Sequence, residues 1–123
     1  GQQREAAVAL QAMATGGGVV VVKGGDAGGP DSIDIEHGPG YLTEHRSTRI
    51  DTRNNHGTGC SFAAAIAAQL SLGLPAADAI DEAHAYVRRG LVSAATWHLG
   101  AGHGPIDHFP PPAPPPTQAE NAP

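Results

Sequence analysis

The run Asn54-Asn55-His56-Gly57-Thr58-Gly59-Cys60-Ser61 restricts this chain more than any other segment. It places two glycines and the chain's only cysteine directly before residues 62–70, an Ala-rich stretch of strong helix formers. Without a Cβ, Gly57 and Gly59 let the backbone turn tightly and approach a ligand closely. The first amides of a helix have no intrahelical acceptor, and the helix dipole makes that end positive. The junction therefore reads as an anion site with a thiol at its edge, a setting suited to base or nucleophile chemistry. The competing reading makes Cys60 a small residue packed beneath a helix start. The Gly57-Thr58-Gly59 context favours the functional reading.

Composition bounds what surrounds this junction. The 123 residues suffice for one domain. Residues 110–123 hold seven prolines in fourteen positions and read as a disordered, polyproline-like tail or linker. Aromatic residues make up only 4% of the chain, so its core must be built from Ala, Val, Ile and Leu. A formal charge of −5 with no basic stripe argues against nucleic acid and anionic membrane as partners. A single cysteine excludes an internal disulfide and fits a reducing, cytoplasmic setting. No apolar stretch is long enough to span a bilayer. The chain opens Gly1-Gln2-Gln3 without methionine, which reads as a cut or processed boundary.

Along the chain, residues 4–15 predict a helix with Ala6, Leu10 and Met13 as its packed stripe, stopped by Gly16-Gly17-Gly18. Val19 to Val22 run without alternation and predict a parallel strand covered on both faces. Lys23-Gly24-Gly25-Asp26 follows at the strand's C-terminal end, where α/β sheets bind ligands. Lys23 is thus a candidate anion contact, set against a solvated loop lysine. Residues 32–36 alternate and predict a half-exposed strand, returning after Gly38-Pro39-Gly40 as a hairpin over residues 41–46. Phe62, Ile66 and Leu70 mark the buried side of the next helix, which Gly73 closes. A further helix opens at Leu74-Pro75 and buries Ile80, Ala83, Val87 and Leu91. Asp78 early and Arg88-Arg89 late suit its dipole, and a break is expected near Gly90 before the pattern runs on to His98. One parallel strand and an edge ribbon are too few strands for a complete α/β layer fold.

The junction, the Ala-rich helix, Ala83-His84-Ala85-Tyr86-Val87, the Val19–Gly25 segment and Gly102-His103-Gly104-Pro105-Ile106-Asp107-His108-Phe109 together resemble hydroxymethylpyrimidine/phosphomethylpyrimidine kinase of thiamine biosynthesis. The resemblance covers residues 4–109 and points to the family's C-terminal half. It implies an α/β, ribokinase-like fold: the C-terminal portion of a three-layer α/β/α sandwich with an antiparallel hairpin, residues 1–109 forming a nucleotide-binding portion. It implies ATP-dependent phosphorylation of hydroxymethylpyrimidine and its monophosphate. The amides of Gly57, Thr58, Gly59 and Cys60 would form the anion hole, with Cys60 as catalytic base. Lys23 would contact ATP phosphates, and Mg²⁺ would bridge ATP oxygens. Asn55 departs from the family, which usually has Thr there.

His56 and Asn54 are further candidates beside the cradle. Asp26, Asp51 and Asp107 are unranked approaches to a metal, and no protein-ligated metal site is expected. His103 and His108 have no Cys or second His pair near them, and read as structural loop residues. Tyr86 reads as core packing. Two other functions stay open: a pyridoxal/pyridoxine-type vitamin kinase, and a non-catalytic half-domain that acts by pairing. The expected partners are a small pyrimidine alcohol or its phosphate, and a second copy or a missing N-terminal half. Undercovered strand edges predict self-association.

Overall fold

The computed structural model describes residues 1–25 and 27–115. Asp26 and the later part of the Pro-rich tail lie outside the described residues. The chain divides into two units, residues 1–49 and 50–123, each described by itself.

The first unit runs α1 (Gln2–Met13), β1 (Val20–Val22), β2 (Asp31–Gly38) and β3 (Tyr41–Thr48). The three strands form one antiparallel sheet in the order β1-β2-β3. The hairpin appears where the sequence placed it, with Gly38 opposite Tyr41 across Pro39-Gly40. The parallel strand does not: Val20–Val22 pair antiparallel with Ile35 to His37 and are only half-buried. A run of valines is compatible with either pairing, because β-branching favours the pleated backbone and not a strand direction.

Strand β2 also departs from expectation, since Asp34, Ile35 and Glu36 are all buried. Alternation predicted a solvated polar face. That face is closed because each acid finds partners: Lys23 and the Gly24 amide at Asp34, Tyr41 and His45 at Glu36. Helix α1 packs on β1 and β2 through Ala7, which is fully buried, and Gln3 Nε2 donates to the Ile33 carbonyl at 3.0 Å. Leu10 and Met13 are exposed, so the predicted stripe is not the packed one. The small Ala7 brings the helix close to the sheet and turns the longer apolar side chains outward.

The second unit holds α2 (Thr58–Ser71) and α3 (Ala76–Ala94), packed on each other. Its core is Phe62, Ala79, Ile80, Ala83, Val87, Ala94 and Ile106. Phe62 is buried as expected, whereas Ile66 is half-buried and Leu70 exposed. Gly73 closes α2: its amide donates to the Leu70 carbonyl and the Leu74 amide reaches back to Gln69.

Helix α3 does not break at Gly90. A Cβ there would lie 2.6 Å from the Asp107 carbonyl oxygen, so glycine admits a neighbouring segment inside a continuous helix. Because the helix continues to Ala94, Arg88 and Arg89 fall short of its last turn, which has no basic residue. Residues 110–115 carry no regular structure, and 111–114 border an open cavity of about 500 Å³ with Ala85, Arg88, Arg89, Val92 and Ser93.

Burial and the Glu36 carboxylate, which accepts from the Tyr41 hydroxyl at 2.5 Å, push the phenol up to about 12 from 10.0. A raised folded-state value contributes stability that is present below pH 10 and lost as pH rises towards 12. Wild-type stability is therefore expected to fall across that window, and Tyr41→Phe to flatten the fall. Urea unfolding at pH 8 to 12 checks this; an equal alkaline loss in both proteins would count against it.

Candidate phosphate cradle at the start of helix α2

The N-cap of α2 is Gly57, whose φ of 86° lies in the left-handed region that side chains resist. Glycine also has no side chain to cap the helix, and no side-chain cap bond is present. The Ser61 amide makes the first helical bond, to the Gly57 carbonyl at 2.8 Å. The Thr58 amide bonds weakly to the Asn55 carbonyl at 3.3 Å, and the Thr58 hydroxyl donates to that same oxygen. The amides of Gly59 and Cys60 have no acceptor among the described residues. The expected four-amide anion hole thus contains a Thr58 amide already engaged, with Gly59 and Cys60 as the available donors. Cys60 is exposed, against the alternative of a packed thiol. A thiol open to solvent at two unfilled amides can meet an anion and an acceptor group.

The backbone leading into the cradle is held from several directions. Asn54 is buried, and its side-chain amide donates to the carbonyls of Ala94 at 2.7 Å and Trp97 at 2.8 Å. It thereby joins the Trp97 amide as a second donor to the last carbonyl of α3 and ties down the Trp97 carbonyl just beyond that helix. Its Oδ1 lies against Gly104, where a Cβ would come within 2.0 Å. The His56 amide donates to the Gly104 carbonyl, and the Ile106 amide donates to the His56 carbonyl, forming a short parallel bridge. Asn54 is therefore a clamp, and its side-chain amide is committed to α3. His56 is exposed, beside the cradle in sequence and fixed by its backbone. A polar cavity of about 260 Å³ opens beside this loop, between Arg53 and Trp97.

Lys23 belongs to the other unit. Its ammonium meets the buried Asp34 carboxylate at 2.5 Å, and the Gly24 amide donates to the other Asp34 oxygen at 2.8 Å. It is neither a simple solvated lysine nor an isolated anion contact. Asp34 fixes both the lysine and the turn after β1. Sequence reasoning missed Asp34, because an acid in an alternating strand is normally solvated. It also missed Arg49, whose guanidinium donates to the carbonyls of Gly25 at 2.6 Å and Gly29 at 2.9 Å, and so folds the glycine-rich loop onto itself. Of the acids considered for metal, Asp107 accepts from Ser93 Oγ and the Phe109 amide, which makes it a loop staple. Asp51 is exposed. Tyr86 is no core residue: its hydroxyl donates to the exposed His108 carbonyl at 2.9 Å.

The family profile described as phosphomethylpyrimidine kinase matches residues 1–107. The chain is 42% identical over 108 residues to the hydroxymethylpyrimidine/phosphomethylpyrimidine kinase of Rhizobium meliloti, covering 85% of this chain and 41% of that protein. It is 39% identical over 103 residues to the Escherichia coli protein of the same name, covering 79% and 36%. The match therefore spans about two fifths of these relatives. Among solved structures it is similar to Staphylococcus aureus pyridoxal kinase in complex with AMP-PCP and pyridoxal, at TM-score 0.77 and 28% identity over 87% of this chain and 39% of that one. An ADP complex of Bacillus subtilis pyridoxal kinase gives TM-score 0.76 at 28% identity, over 86% and 40%. These are ribokinase-like proteins, and a partial α/β domain of that class is what the chain forms.

Two outcomes follow from the clamp and the ion pair. Asn54→Ala removes one buried and one part-buried bond and takes its donor from the Trp97 carbonyl; it is expected to lower stability by about 1–3 kcal/mol, read from urea midpoints. Lys23→Ala leaves a buried carboxylate short of a partner and is expected to cost about 1–3 kcal/mol, less than a fully buried pair because the lysine is partly exposed. A double-mutant cycle with Asp34→Asn should recover part of that cost; additive losses would contradict the coupling.

Proposed function

The chain belongs to the phosphomethylpyrimidine kinase family, and from that premise we propose that it carries the phosphate-holding part of an ATP-dependent kinase for hydroxymethylpyrimidine and its monophosphate in thiamine biosynthesis. The observation that supports this most is the uncapped start of α2, with Gly59 and Cys60 amides lacking acceptors beside an exposed thiol. Phosphoryl transfer asks a protein mainly for positioning and charge stabilisation. Preformed amide donors at a helix N-terminus supply the second, at about 3–4 kcal/mol for each well-placed donor in comparable oxyanion sites.

In the proposed reaction Cys60, as base, takes the proton from the acceptor hydroxyl or phosphate. The acceptor oxygen bonds to the γ-phosphorus as the bond to the bridging oxygen breaks, and ADP leaves. The amides of Gly59 and Cys60, with Gly57 and Thr58 shaping the turn, hold the transferring group's oxygens. Lys23 is assigned to ATP phosphates, with Asp34 holding its ammonium. His56 is a further candidate for orienting phosphate, and Asn54 acts only through the loop it clamps. Mg²⁺, if bound with ATP, would supply charge neutralisation at its phosphates. Asp107 does not suit that ion, because its carboxylate is spent on Ser93 and Phe109.

The chain spans 41% of the Rhizobium meliloti relative, and we place its activity together with further polypeptide, either a partner segment or a second copy. No helix among the described residues is long and apolar enough to cross a membrane. We place the chain in the cytoplasm. A pyridoxal-type kinase is the second reading, favoured by the similarity to the two pyridoxal kinase structures. The higher identity to pyrimidine kinases, 42% against 28%, supports the first.

A kinase assay of the chain together with that further polypeptide, using ATP–Mg²⁺ and a panel of the pyrimidine alcohol, its monophosphate and pyridoxal, separates the readings. Turnover on the pyrimidines is expected, with Cys60→Ala reducing it about 10²–10⁴-fold. Undiminished turnover in that variant would remove Cys60 as base. Turnover on pyridoxal alone would support the second reading, and none on any substrate would favour a non-catalytic half-domain.

A further inference from the structure

We infer that the His108 imidazole is a further phosphate-binding group of the cradle, acting at Gly57. This rests on the cradle reading above and adds a residue that sequence analysis assigned to a structural loop. A Cβ built on Gly57 would lie 3.7 Å from His108 Nε2, 4.0 Å from its Cε1 and 4.0 Å from Ser61 Oγ. The ring nitrogen therefore stands where a side chain of the N-cap residue would project. Glycine at 57 leaves that space open, and the imidazole reaches it from a segment 51 residues away in sequence.

The backbone beneath the ring is fixed on both sides. The Asp107 amide donates to the Gly90 carbonyl at 3.1 Å, and the Asp107 carboxylate accepts from Ser93 Oγ at 2.6 Å and from the Phe109 amide at 2.8 Å. The Tyr86 hydroxyl donates to the His108 carbonyl, and Ile106 anchors the segment in the core at 1% exposure. All of these bonds use backbone or the Asp107 carboxylate. His108 is exposed, and its ring makes no hydrogen bond to the described residues. Five interactions thus order a residue whose own polar group serves no packing purpose in this unit.

An imidazole always carries at least one N–H, and its protonated form carries two with a positive charge. Hydrogen bonds from such a donor to phosphate oxygens are charge-assisted and short. With the Gly59 and Cys60 amides in the first turn of α2 and His108 Nε2 beside Gly57, a phosphate there receives donors from two segments of the same unit. The phosphate can be that of the nucleotide or that of the acceptor monophosphate; the chemistry is shared, and the experiment distinguishes them.

The test uses the 123-residue chain. Calorimetric titrations compare ATP–Mg²⁺ with adenosine, and the pyrimidine monophosphate with its alcohol, in wild type, His108→Ala and His108→Gln. The expected result is an approximately tenfold loss of affinity for one phosphorylated ligand in His108→Ala. The matching unphosphorylated ligand and the melting temperature should not change. His108→Gln keeps an N–H donor and should recover part of the loss. Whichever ligand pair responds identifies the phosphate. Unchanged ratios in both pairs, or equal losses for phosphorylated and unphosphorylated ligands, would overturn the inference while leaving the cradle. A wild type that prefers neither phosphorylated ligand would overturn the cradle reading as well.

Discussion

The second unit depends on one buried side-chain amide. Asn54, three residues ahead of Gly57, donates to the last carbonyl of α3, at Ala94, beside the Trp97 amide, and also to the Trp97 carbonyl just past the helix. The same bonds that finish one helix therefore determine where the other begins. Two neighbours complete the arrangement: Gly104, too close to the Asn54 carbonyl oxygen to carry a side chain, and the His56 bridge to residues 104–106. A loop tethered in this way can keep Gly57 at positive φ and leave the next amides unfilled. Both are local costs, which the surrounding packing offsets.

The first unit follows a similar rule with different groups. Its central strand buries two carboxylates, which is tolerable only because each is answered at hydrogen-bond distance. Lys23 and the Gly24 amide converge on Asp34, while Tyr41 and His45 converge on Glu36. Surface pairs such as Arg46 with Asp31 contribute much less, being screened by water. The order of the unit rests on buried polar pairs over a small apolar core of Ala7 and Ile35.

Local signals made much of this legible in the sequence. The Pro-Gly turn placed the hairpin, the stripe of Ile80, Ala83 and Val87 placed α3, and glycines before an Ala-rich run placed the start of α2. Other features depended on partners distant in the chain. The direction of Val20–Val22 is set by β2, and the burial of Asp34 by a lysine eleven residues earlier. Gly90 resembled a helix break because the Asp107 carbonyl that requires a glycine there belongs to a later segment. Leu10 and Met13 looked like core because periodicity reports an apolar face and not what covers it. Asn54 drew attention for its position beside the cradle, yet its partners at Ala94 and Trp97 give it a different task.

The central claim is that the amides of Gly59 and Cys60 are left open to receive phosphate. Amide chemical shifts measured while ATP–Mg²⁺ is added to the chain test it directly. The account predicts saturable shifts that are largest at Gly59 and Cys60, with little change along the rest of α2. Saturable binding whose shifts bypass these two amides would contradict it.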